Sequence, residues 1–149
     1  MVYISCKLMD EVWQKVGAMD IDRIAALQKR HQKNQKALTK FAYGQLFELP
    51  EEVAGVGIYV FHVVVEAFAG LAPRPKAVRR PAIDRAWALS ADALAREVFA
   101  VEPHAAQYAE DALAEADDDV ALTEIERAFC SKVVQTAIMS LHGGCERRP

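Results

Sequence analysis

The sequence has few cysteines, and their placement excludes two common uses. Cys6, Cys130 and Cys145 are odd in number and never spaced C-x-x-C. That argues against a disulfide framework and against a zinc ribbon, and points to free thiols in a reducing, cytoplasmic setting. The opening residues lack a basic start and reach Asp10 and Glu11 too early for an export signal. Glycine is also scarce. Gly55 and Gly57 lack the third glycine and the preceding strand of a dinucleotide fingerprint, and there is no Walker loop, H-E-x-x-H or G-x-S-x-G. No glutamate is followed three residues later by histidine, so a carboxylate-bridged di-iron bundle has no support. Runs of β-branched residues are confined to one stretch, which leaves no credible strand, and no unit of 20–50 residues repeats. These absences favour a non-enzymatic protein for which no cofactor is expected.

What remains reads as an all-α chain. Its 149 residues suit a single domain, 1–149, and its 52% hydrophobic and 26% charged residues are those of a globular protein rather than a disordered one. Outside the β-branched stretch, Ala, Leu, Glu, Lys and Gln dominate, and these are good helix formers. The net charge of −3 is unevenly spread. Residues 1–80 hold 12 Lys/Arg against 8 Asp/Glu, whereas residues 81–149 hold 6 against 13. Two solvated faces that attract each other, or a partner subunit, account for such a split.

The β-branched stretch lies in the segment 50–72 and predicts a buried central helix over about 51–71. Glu48, Glu51 and Glu52 belong at the positive end of a helix dipole, Pro50 suits a helix start, and Gly70 with Pro73 closes it. Inside, the only charged residue is Glu66 and the only other strongly polar one is His62. A helix apolar all round is either enclosed by protein or in a membrane. An ionisable pair at mid-helix is expensive in lipid, so the expectation is a soluble core helix and no membrane. Gly55 and Ala69, on the His62 and Glu66 side, would allow another helix or a ligand to come close.

Five or six helices in all are expected around this one. A short helix runs from Ser5 to Val16 with Leu8, Val12 and Trp13 inward. A second runs from Ile21 to about Phe47, a third from Pro81 to about Val101, and a fourth from Pro103 to about Ala116. The last opens at a capping box formed by Thr123 and Glu126 and is stopped by Gly143 and Gly144. Residues 72–80, APRPKAVRR, form an internal linker, Asp117, Asp118 and Asp119 a solvated turn, and 145–149 a loose tail.

Three sets of residues are candidates for function. His62 and Glu66, at i and i+4 on one face, can share a proton, bond directly or ligate a ligand. The simpler alternative is a satisfied core pair, or Glu66 meeting an arginine from another helix. His31, inward on the second helix, could complete a His31–His62–Glu66 cluster, with the two nitrogens and one carboxylate that hold zinc or non-haem iron. Lys29, Lys33, Lys36 and Lys40, spaced 4, 3 and 4, would form one outward stripe on a continuous helix, a phosphate-contacting face if nucleic acid binds. The spacing of His142 and Cys145 offers half a zinc site at most and fits a frayed helix end. The leading expectation is an interaction or oligomerisation module, forming a homo-oligomer or meeting a protein partner. The alternative is a small-molecule- or metal-binding bundle using His62 and Glu66, and a second alternative is nucleic-acid binding, which the acidic second half disfavours.

Overall fold

The computed structural model describes residues 1–116 and 120–145. The expected Asp117–Asp119 turn, and residues 146–149 of the expected tail, lie outside the described residues. Among the described residues there are eight helices and no strand. They are α1 (Cys6–Gly17), α2 (Ile21–Asn34), α3 (Lys36–Leu46), α4 (Glu51–Ala69), α5 (Arg80–Trp87), α6 (Ala91–Val101), α7 (Pro103–Glu115) and α8 (Glu124–Cys145).

The starts follow the local chemistry. Ser5, Asp20 and Ser90 each accept a bond from the backbone N–H three residues on, opening α1, α2 and α6. At α8 the capping box forms in both directions: Thr123 N–H donates to Glu126 (2.9 Å) and Glu126 N–H to the Thr123 hydroxyl (3.0 Å).

Two helices expected to be continuous are broken, which raises the number from five or six to eight. The stretch 81–101 divides because Ser90 caps α6, a local signal that the apolar periodicity running through it obscured. The stretch 21–47 is a hairpin. The Thr39 hydroxyl bonds the His31 carbonyl at 3.3 Å; in one straight helix those residues would be about 12 Å apart along the axis. The chain reverses at Gln35, whose backbone (φ −130°, ψ 60°) is not helical. Its buried side chain is committed elsewhere. Gln35 Nε2 donates to the Lys76 carbonyl (3.1 Å), and its Oε1 accepts from Val78 N–H (2.8 Å).

Gln35 therefore clamps the linker 72–80 to the hairpin turn. On its other side the linker is fixed to the end of α8, where Lys76 N–H donates to the Gly144 carbonyl at 3.1 Å. A methyl group added at Gly144 would come within 3.1 Å of the Lys76 carbonyl. The glycines expected to stop the last helix instead let the linker lie against it, and α8 continues to a buried Cys145.

α4 packs against α1, α2, α3, α7 and α8, while α5 and α6 pack on α8. α8 lies alongside α4 and runs the same way, with Cys130 next to Gly57 and with Leu141 and Val65 bordering one cavity. Every residue of 60–68 is buried. α4 is long and apolar enough to cross a membrane, with a mean hydropathy of 1.6 over an 18-residue window of which 67% is covered by protein. Burial of Phe61 and Phe68, both fully enclosed, contributes about 1.5–3 kcal/mol each. The close approach on this helix is at Gly57, where a Cβ would stand 2.8 Å from Leu46 Cδ2 and 3.2 Å from Cys130 Sγ. Gly55 is exposed with open space around it, contrary to expectation. Trp13, expected inward, is 43% exposed, and Met9, Val12 and Val16 form the buried face of α1.

Candidate functional site

α4 is antiparallel to α3 and parallel to α2, which brings Tyr43, His62, His31 and Glu66 into one line. His62 and Glu66 meet through His31 rather than each other. His31 Nδ1 lies 2.8 Å from His62 Nδ1, and His31 Nε2 lies 3.0 Å from Glu66 Oε1. The two rings stack with centroids 5.1 Å apart and planes at 18°. Beyond them, His62 Nε2 is 2.6 Å from the Tyr43 hydroxyl. At the other end, Arg30 Nη2 donates to both Glu66 oxygens at 2.9 Å, and Lys15 Nζ donates to Oε2 at 3.2 Å. His31, His62 and Glu66 are buried, while the Arg30 and Lys15 side chains are 47% and 61% exposed.

One arrangement of protons satisfies this chain with both rings neutral. An ionised carboxylate only accepts, so His31 Nε2–H donates to Glu66 and its Nδ1 accepts from His62 Nδ1–H. His62 Nε2 then accepts from the Tyr43 hydroxyl. Every link carries one proton, and all of them point from the phenol towards the carboxylate.

The electrostatics hold two of these groups in one charge state, Glu66 as an anion and His62 as a neutral ring. Burial works to raise the Glu66 carboxyl, but hydrogen bonds from His31, Arg30 and Lys15, with the Arg30 charge, outweigh it and hold the group at about 2. Burial, and then the neighbouring His31, push His62 down to about 3, which keeps it neutral. Burial raises the Tyr43 phenol above its usual value. The chain thus runs from a neutral phenol through two imidazoles to a carboxylate held ionised.

The same spacing bears on metal binding. Two nitrogens on one tetrahedral zinc, each at 2.0–2.1 Å, stand about 3.4 Å apart. The 2.8 Å between His31 and His62 is the distance of a hydrogen bond. Among the described residues, no group of three or more His, Cys, Asp or Glu side chains is placed to hold a metal ion.

Two adjoining cavities border this end of the chain, the first at His31 and the second at Glu66. One of about 390 Å³ lies between α2, α4, α8 and the linker, bordered by Arg30, His31, Asn34, Val65 and Leu141 among others. One of about 360 Å³ lies between α1, α2, α4 and the linker, bordered by Lys15, Glu11 and Glu66. Arg30, Ala69 and Arg74 line both. Arg74 stands between Pro73 and Pro75 on the clamped linker.

The four lysines are all exposed, but the hairpin divides them. Lys29 and Lys33 belong to α2, Lys36 and Lys40 to the returning α3, so the single stripe of a continuous helix is not formed. His142 does not fray. Its Nδ1 is 2.7 Å from Oε2 of the fully buried Glu102, whose oxygens also accept from Tyr3 N–H (3.1 Å) and Ile4 N–H (3.0 Å). This pair ties the chain start to α8, and the pairing of residues 40 apart leaves no spacing signal in the sequence. Tyr43, Lys15 and Arg74 were likewise missed as neighbours of the site. Tyr43 was legible only as an aromatic on the helix after His31, and nothing local distinguishes Lys15 or Arg74 from other surface cations.

No protein-family model matches this chain, and no curated protein or solved structure does either.

Proposed function

We propose that this protein is a small-molecule-binding helical domain, whose site is the double cleft above Glu66. The observation that carries the reading is that the hydrogen-bonded chain from Tyr43 borders both cavities at its far end, through His31 on the first and Glu66 on the second, with Arg30 and Arg74 on both. A core pair needed only for packing has no reason to end at two cavities of about 390 and 360 Å³, within the size range usual for ligand pockets. A polar ligand seated there would touch a fixed carboxylate and its guanidinium partner. The chain behind them is arranged to keep that carboxylate ionised.

Fragment screening by ¹H–¹⁵N correlation spectroscopy tests this. Shifts should cluster on Arg30, Asn34, Ala69 and Arg74. Shifts scattered over the surface, or none, would sink the reading.

A second reading, a homo-oligomerisation or protein-interaction module, is favoured by a different observation. Ile21, Phe47 and Ile125 are 85%, 64% and 84% exposed. Each lies near the end of the bundle where α4 begins, since Gly17 faces Tyr59, Leu46 faces Gly57 and Cys130 faces Gly57. Light scattering across a wide concentration range decides it. Self-association weakened by Phe47→Ser supports this reading, and a strict monomer at every concentration removes the homo-oligomer.

A further inference from the structure

The geometry points to the ligand class of this cleft: a small monocarboxylate with a short aliphatic tail, its head between Arg30 and Arg74 and its tail on Val65, Pro75 and Leu141. This rests on the cleft being a ligand site and adds the chemistry it selects. The 390 Å³ cavity has two guanidinium groups on its lining and no carboxylate. Glu66, just beyond it, already answers Arg30, and even there Arg30 gives only Nη2, so among the described residues its Nε and Nη1 have no partner. Arg74 has no hydrogen bond or ion pair to any described residue. On the adjoining cavity Glu66 is paired with Arg30 and Lys15 and Glu11 with Lys7, so the one guanidinium left without an ion pair calls for one negative charge.

The guanidinium fork matches a carboxylate, which it can hold by two parallel N–H···O bonds. Arg74 is also placed in advance. Prolines on both sides restrict its backbone, and the linker is fixed two residues later by Lys76, through its carbonyl to Gln35 and its N–H to Gly144. Such fixing lowers the ordering cost of binding. Of the other lining residues, His31 and Gln35 have their polar atoms already bonded within the protein, and Val65, Ala69, Pro75 and Leu141 form an apolar side that suits a few methylene groups. Asn34, at the rim, supplies an amide that can meet the carboxylate's remaining lone pairs.

The test titrates the full chain with butanoate, butanamide and inorganic phosphate, followed by ¹H–¹⁵N spectra and calorimetry. Butanoate should shift Asn34, Ala69 and Arg74 and bind about tenfold or more tightly than its neutral isostere butanamide, as expected for hydrogen bonds to a charged group. Arg74→Gln should erase that preference, leaving the melting temperature unchanged because the side chain is exposed. Arg74→Lys should restore part of it. Equal binding of butanoate and butanamide overturns the carboxylate assignment while leaving the cleft a ligand site. Phosphate binding more tightly than butanoate also overturns it. If neither these probes nor any fragment shifts the cleft residues, the ligand-site reading fails with it.

Discussion

Lowering the pH should unload this fold through His62 before it reaches the carboxylates. His62 is 2% exposed and held at about 3, against an ordinary value of 6.5. Its folded pKa is depressed, so between 6.5 and 3 the unfolded chain binds a proton that the folded one refuses, and stability falls as pH falls through that window. Going from pH 7 to pH 5 this single group removes about 2 kcal/mol of stability, at 1.36 kcal/mol per unit. Glu66 adds a later loss. Its carboxyl sits at about 2 rather than 4.5, so its contribution is present above 4.5 and disappears only below it. Urea unfolding at pH 7 and pH 5 measures the drop. His62→Asn has no proton to refuse, and its own drop should be smaller by about 2 kcal/mol. At pH 7 that variant should be weaker by about 1–3 kcal/mol, because an amide cannot bond both Tyr43 and His31. Imidazole ¹⁵N shifts give the direct check: His62 should remain neutral at pH 5, with Nε2 unprotonated. A ring at position 62 that titrates near 6.5, or a variant that loses as much stability as the parent, would refute the buried neutral relay.

The two glycines of α4 should respond oppositely to alanine. Gly55→Ala enters open space on an exposed helix face and should stabilise by about 0.5–1 kcal/mol through helix propensity. Gly57→Ala drives a methyl group to 2.8 Å from the fully buried Leu46 and should destabilise by about 1–3 kcal/mol; thermal unfolding of the pair reads both signs. Gln35→Ala leaves the buried Val78 N–H without its acceptor and releases the linker, at about 1–3 kcal/mol. Faster tryptic cleavage after Lys76 or Arg79 should accompany it, since the bonds after Arg74 and Arg80 are protected by the prolines that follow them, and an unchanged cleavage rate would contradict the clamp. Replacing Lys29, Lys33, Lys36 and Lys40 together by Gln should shift stability by no more than about 0.5 kcal/mol per site, since all four are exposed. A large fall in the melting curve would show that a face of the hairpin has been misplaced.

Local chemistry by itself determined a good deal here. Ser5 and Asp20 cap helices because their side-chain oxygens reach a free N–H, and Thr123 with Glu126 does so reciprocally; none of this needs the rest of the molecule. The near-absence of polar residues between Val53 and Leu71 fixed α4 as an enclosed helix, because so much apolar surface must be covered. It also marked Glu66 and His62 as groups in need of partners, and the 3.6-residue period placed His31 on an inward face. The partners themselves came from tertiary structure. Whether 21–47 is one helix or two was set by Gln35, whose amide bonds a linker some 40 residues away, and no helical period records a contact of that range. Once the chain reverses there, a stripe of four lysines becomes two separate pairs, while Tyr43 is carried back to His62. Gly143 and Gly144 look like a stop by propensity, yet the end of α8 is held by the backbone of Lys76. Arg74 is an ordinary exposed cation in the sequence. Only the folding of the linker against α2 and α8 sets it over the cleft, because position in space depends on contacts between segments that the order of residues along the chain does not contain.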